Sequence, residues 1–181
     1  EVIMPTPCWV SYVEMVKIAQ GKSVIVKTTM EDNFCLTAAQ LEAAITPKTK
    51  LLMLCSPNNP TGSVYTLENL KALVEVLKRH PQVNVLADEI YQHILYTGKH
   101  ETLAQFPELE DRLIIINGVS KAYAMTGYRI GWLACHDKDL ITAVKRLQGQ
   151  TISCATTIAQ KAAEAAYTGD QSCVEEMRQA F

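Results

Sequence analysis

The sequence predicts an α/β protein built in three layers, α/β/α, around a mainly parallel sheet. Two observations carry this. Short apolar, β-branched runs of strand length alternate with segments of helical period along the whole chain. Three of those runs end in motifs bearing an amide, a carboxylate and an amine, and ligands sit beyond the carboxyl ends of strands in sheets of this kind.

The elements follow in order. Val2 to Met4 reads as a short strand, and Tyr12 to Ala19 as a helix closed by Gly21. Ser23 to Lys27 is β-branched and short, a strand by length and composition. Thr37 is placed to cap a helix through Ile45, with Leu41 and Ile45 on one face and Pro47 just beyond its end. Leu51 to Cys55 is a buried strand. Thr66 caps a longer helix whose Leu67, Leu70, Val74 and Leu77 share a face; Lys78, Arg79 and His80 suit its negative end, and Pro81 stops it. Val83 to Ala87 and Leu113 to Ile116 are further strands, with Gln92 to Asp111 between them read as loop holding one short helix. After a helical turn and the Thr126-Gly127 bend, Arg129 to Cys135 is another strand. Asp139 to Leu147, Thr156 to Ala166 and Cys173 to Phe181 read as helices.

Length and composition limit the function. A chain of 181 residues suffices for one domain with a sizeable core. A net charge of −2 without a basic run argues against nucleic acid and against an acidic membrane surface. No apolar stretch approaches the length of a membrane span, and no targeting peptide is visible at the start. Cys8, Cys35, Cys55, Cys135, Cys154 and Cys173 form no Cys-x-x-Cys pair, so no metal site is expected and the thiols are read as reduced, in a cytoplasmic protein. Cys55 and Cys135 are expected to pack as small hydrophobes. The scattered His80, His93, His100 and His136 are read as surface or loop residues. Glu1-Val2-Ile3-Met4-Pro5 reads like the end of a strand, as in a segment of a longer chain.

The chemistry concentrates in three places. Lys121 follows the apolar run Leu113 to Ile116, and Arg129 comes eight residues later. Asn59 lies in Ser56-Pro57-Asn58-Asn59-Pro60-Thr61-Gly62, after Leu51 to Cys55. Asp88-Glu89-Ile90-Tyr91 follows Val83 to Ala87. A lysine amine does distinctive chemistry by forming an imine with a carbonyl. If that carbonyl is pyridoxal phosphate, Asp88 could keep the pyridine nitrogen protonated and make the ring an electron sink. Tyr91 and Asn59 could bond the 3-oxygen, Arg129 the phosphate, and Trp9 could stack on the ring.

With these residues set out, the chain resembles the class I aminotransferases of the aspartate aminotransferase superfamily, the fold-type I pyridoxal-phosphate enzymes. The matching segments are Pro-x-Trp-Val-x-Tyr at Pro7 to Tyr12, Asn-Pro-Thr-Gly at Asn59 to Gly62, Asp-Glu-Ile-Tyr at Asp88 to Tyr91, and Ser-Lys…Gly-Tyr-Arg-Ile-Gly at Ser120 to Gly131. The resemblance implies transfer of an amino group from an amino acid, with aspartate the candidate, to a 2-oxo acid. It makes Lys121 the Schiff-base lysine and proton carrier, with Asp88 and Tyr91 as catalytic partners. Trp9, Asn59, Asp88, Tyr91, Ser120, Lys121 and Arg129 become the cofactor-binding set, and Asn59 and Trp9 also meet the substrate. It further implies that residues 1–170 are part of a large cofactor domain. Residues 171–181 would start a helix leading toward a small domain, the parent would be a homodimer, and the segment would be inactive alone. Where many relatives carry a phosphate-binding serine three residues before the lysine, this chain has Gly118.

Other readings of the same residues are weaker. Asp88-Glu89 after a strand could belong to a nucleotide hydrolase, but Gly-x-x-x-x-Gly-Lys-Ser/Thr is absent. Gly127-Tyr128-Arg129-Ile130-Gly131 does not match Gly-x-Gly-x-x-Gly of a nicotinamide fold. Ser120-Lys121 suggests a serine–lysine hydrolase, but adjacent residues in such a turn usually point apart. Tyr128 and Trp132 are expected to be packing, and Glu89 structural. Two alternatives stay open: a pyridoxal-phosphate β-lyase of the same fold, and a cofactor-sensing domain of a transcription regulator.

Overall fold

The computed structural model describes residues 1–181. Six strands form one sheet in the order β2-β1-β3-β4-β5-β6. They are β1 (Val2–Thr6), β2 (Ser23–Lys27), β3 (Leu51–Cys55), β4 (Asn84–Asp88), β5 (Leu113–Gly118) and β6 (Gly131–Ala134). All neighbouring pairs are parallel except β5 with β6. The helices are α1 (Ser11–Ile18), α2 (Ala38–Ala44), α3 (Leu67–Arg79), α4 (Lys138–Thr151), α5 (Thr157–Thr168) and α6 (Ser172–Ala180). No helix is long and apolar enough to cross a membrane.

Strand alternation sorts the core into two clusters on opposite faces. Ile3, Leu52, Leu54, Val85 and Ala87 join Leu41 of α2 and the inner face of α3 in the larger cluster. Met4, Met53 and Cys55 point the other way and pack on Tyr12 and Val16 of α1. A continuous apolar strand such as Leu51–Cys55 is therefore apolar on both sides because both sides are covered.

Two helices show how local sequence fixes these layers. Thr37 with Gln40 and Thr66 with Asn69 form reciprocal capping boxes at the starts of α2 and α3. Such a cap contributes about 1 kcal/mol, and one fully buried Leu or Val contributes about 1.5–3 kcal/mol. Because α3 buries Leu70, Leu73, Val74, Val76 and Leu77, its packing outweighs its cap.

α3 ends at Arg79, just before Pro81 as expected, and its basic residues find carboxylate partners. Lys78 pairs with Glu75, while Arg79 and His80 both pair with Glu42 of α2. The open carbonyls are satisfied from far along the chain. Arg112 donates to Leu77 O at 2.8 Å, His80 O at 3.0 Å and Val83 O at 2.8 Å.

Three boundaries moved. α4 runs to Thr151, beyond the expected Leu147, because Gly149 costs a helix only about 1 kcal/mol and does not break it. The loop after β4 carries two 3₁₀ turns, Leu103–Gln105 and Pro107–Arg112, instead of one short helix. β6 begins at Gly131 because Arg129 takes a left-handed conformation, φ 53°. Tyr128 and Trp132, expected as packing, are 47% and 42% exposed; the Trp132 indole donates to the Tyr167 hydroxyl at 2.9 Å.

Candidate active site

Register across the sheet builds the floor of the site. Cys55 of β3 stands opposite Asp88 of β4, and Asp88 opposite Ile116 of β5. All three side chains line one cavity of about 290 Å³ at the carboxyl ends of the strands. Trp9, Asn59, Tyr91, Ser120, Lys121 and Arg129 line the same cavity. Every site residue expected from the sequence is thus brought together, from segments up to 120 positions apart.

The Asp88 carboxylate is held at both oxygens. Tyr12 Oη donates to Oδ2 at 2.5 Å, and the Ile90 backbone N–H donates to Oδ1 at 3.1 Å. Burial, reinforced by the thiol of Cys55 and the carboxylate of Asp88, holds the Tyr12 phenol far above its ordinary pKa, so it remains a donor. Burial and the Asp88 charge push the Cys55 thiol up to about 11, so a neutral thiol lies beside the carboxylate.

Tyr12 and Cys55 carried no assigned role in the sequence reading. The signal for Tyr12 was its spacing: it stands three residues after Trp9, and Tyr12 N–H donates to Trp9 O at 3.1 Å as the chain enters α1. That turn sets the rings edge to face, with centroids 5.4 Å apart and planes at 84°.

The walls come from loops. Asn59 Nδ2 donates to the Tyr91 hydroxyl at 3.4 Å. Lys121 Nζ stands 5.7 Å from the centroid of the Tyr91 ring. Arg129 is exposed at the rim, and its Nη1 donates to Thr126 O at 2.7 Å, which leaves the rest of the guanidinium open toward the cavity.

This donor set fits pyridoxal phosphate. A carboxylate anchored at both oxygens suits a protonated ring nitrogen; an amide–phenol pair suits the phenolate oxygen. The amine suits an aldehyde and the guanidinium a phosphate, with Trp9 beside them. No group of three His, Cys, Asp or Glu side chains is arranged to hold a metal ion.

Comparison with known proteins decides the family. Residues 1–181 match the family described as aminotransferase class I and II. The chain belongs to that family. It is 48% identical to an aspartate/prephenate aminotransferase of Nitrosomonas europaea and 51% identical to an aspartate aminotransferase of Geobacillus stearothermophilus, covering all of this chain and 46% of each relative. Its fold superimposes on the crystal structure of the aspartate aminotransferase from Rhizobium meliloti with a TM-score of 0.95 at 45% identity, over 99% of this chain and 45% of that one. The chain thus spans a little under half the length of the relatives it matches. Class I aminotransferases use pyridoxal phosphate, the cofactor that the donor set fits.

The departure at Gly118 has a structural reason. Gly118 pairs with Gly131 across the antiparallel β5–β6 ladder. A Cβ at Gly118 would stand 2.9 Å from both Gly131 Cα and Ile130 O. A serine therefore does not fit without moving β6; Ser120 and Arg129 line the cavity beside it.

Proposed function

We propose that the parent protein transfers an amino group from an amino acid to a 2-oxo acid, with aspartate as the preferred donor. The observation that carries this is the convergence of Lys121, Asp88, Asn59, Tyr91, Arg129 and Trp9 on one cavity. The aspartate preference is supported by the relatives named for that substrate.

In this reading pyridoxal phosphate supplies, when bound, an aldehyde and an electron-accepting ring. Lys121 Nζ would hold the cofactor by its aldehyde, and its amine, once freed, would carry the proton that leaves the substrate α-carbon. Asp88 fixes the charge on the ring nitrogen, and Tyr12 and the Ile90 N–H keep its oxygens aimed there. Tyr91 and Asn59 share the 3-oxygen. Arg129 and Ser120 take the phosphate. Asn59 and Trp9 border the place of the substrate.

The same proposal makes residues 1–170 most of a large cofactor domain and residues 171–181 the start of a helix toward a second domain. The parent is then a cytoplasmic homodimer, and the segment alone is inactive.

The test adds a panel of amino acids to the full-length, cofactor-loaded protein and follows the visible absorption of the cofactor. Loss of the band with aspartate, restored by a 2-oxo acid, is the expected result. Release of ammonia and pyruvate without restoration would make the protein a β-lyase instead.

A further inference from the structure

We infer that Glu89 is a positioning residue: its buried carboxylate, held by Thr102 with His100 alongside, fixes the turn that presents Asp88 and Tyr91 to the cavity. The inference rests on the cofactor role given to Asp88 and Tyr91 above.

Glu89 is only 6% exposed, and a carboxylate that deep needs partners. Thr102 Oγ1 donates to Oε1 at 2.6 Å. His100 Nε2 stands 3.3 Å from Oε2, out of line for a hydrogen bond, so the imidazole serves as a close polar neighbour. None of these three side chains lines the cavity. Asp88 faces it in the row with Cys55 and Ile116, and Glu89, next along the chain, turns to the loop behind.

The backbone of Glu89 adds two further ties. Its N–H donates to Ile116 O at 2.9 Å, on the strand that leads to Lys121, and its carbonyl accepts from Gln92 N–H at 2.9 Å, closing the turn that carries Tyr91. Thr102 is itself a fixed point. Its hydroxyl accepts from Ala104 N–H at 3.1 Å as a cap, and the next residue, Leu103, is buried in the large core cluster. The long loop after Tyr91 therefore returns to the core at Thr102, and there it clamps Glu89. Through its backbone Glu89 thus joins the strand ends bearing Asp88 and Lys121 to the turn of Tyr91, and through its carboxylate it joins them to the loop at Thr102.

The experiment uses the full-length, cofactor-loaded protein with Thr102→Val, Thr102→Ser and Glu89→Gln, and pyridoxal phosphate as the probe. Thr102→Val and Glu89→Gln should each weaken cofactor affinity about tenfold, as loss of a group that orients a ligand contact does, and should lower kcat more than they raise KM. Thr102→Ser should restore both. The double variant should be no worse than the worse single one, because the two act as a unit. Should Glu89→Gln fail to fold, Thr102→Val and its serine rescue carry the test. Cofactor affinity unchanged in Thr102→Val, whatever happens to its melting temperature, overturns the inference. A parent protein that binds no pyridoxal phosphate and is not labelled at Lys121 by borohydride overturns the cofactor reading, and this inference with it.

Discussion

Lys121, Asp88 and Tyr12 show how differently single residues contribute. Lys121→Ala removes the only amine in the cavity, so the full-length variant should show no borohydride-stable attachment of cofactor and turnover should collapse; retained turnover would sink the assignment. Tyr12→Phe is subtler. It removes one hydroxyl and leaves Asp88 Oδ2 short of its donor. A lost hydrogen bond to a charged group is worth about 1.5–3 kcal/mol, so kcat should fall roughly 10- to 100-fold while the fold persists. Steady-state kinetics beside a thermal melt checks both halves. The thiols give a prediction in pH. Burial first, then nearby carboxylates, push Cys35 and Cys55 each up to about 11, whereas Cys154 and Cys173 are exposed. Iodoacetamide mapped by peptide mass should label Cys154 and Cys173 first, and label Cys55 appreciably only as pH nears 11 or the protein unfolds.

Elements were legible where the reason was local, and obscure where it was not. The caps of α2 and α3 follow from Thr37 and Thr66 alone, because a cap is made within a few residues of its own helix. Thr66→Ala should therefore cost about 1 kcal/mol in urea unfolding of the full-length protein, with site kinetics untouched. The end of α3 was legible from Pro81, but what satisfies its carbonyls was not, because Arg112 comes from a distant turn. The antiparallel course of β6 was hidden for the same reason: direction is set by pairing with β5, not by the composition of Gly131–Ala134. Gly118→Ser tests that pairing. Its added Cβ meets backbone that cannot move aside cheaply, so overpacking should cost about 1–3 kcal/mol and lower the melting temperature. A variant as stable as the parent would mean β6 gives way easily.

Across the whole molecule, the site was more legible than its support. Asn59, Asp88 and Lys121 announce themselves because they follow apolar strands, and a parallel sheet collects such ends on one rim. Tyr12 stood out only as the end of a motif, and Cys55 as a small hydrophobe. His100 was read as a surface or loop residue, and it does lie on a loop, yet its ring nitrogens are buried beside Glu89. Only tertiary placement reveals those contacts.

The row of Cys55, Asp88 and Ile116 means that β4 keeps count. Side chains alternate along a strand, so parity alone decides which acidic group reaches the cavity. Deleting one residue within Asn84–Ala87 would present the wrong neighbour of Asp88 while leaving an equally apolar, well-paired strand. The turn around Pro81-Gln82, before the strand begins, is free of that arithmetic. Length changes should accumulate there and be purged from the strand, so that the spacing from β4 to the cavity is inherited as a fixed number while the approach to it drifts.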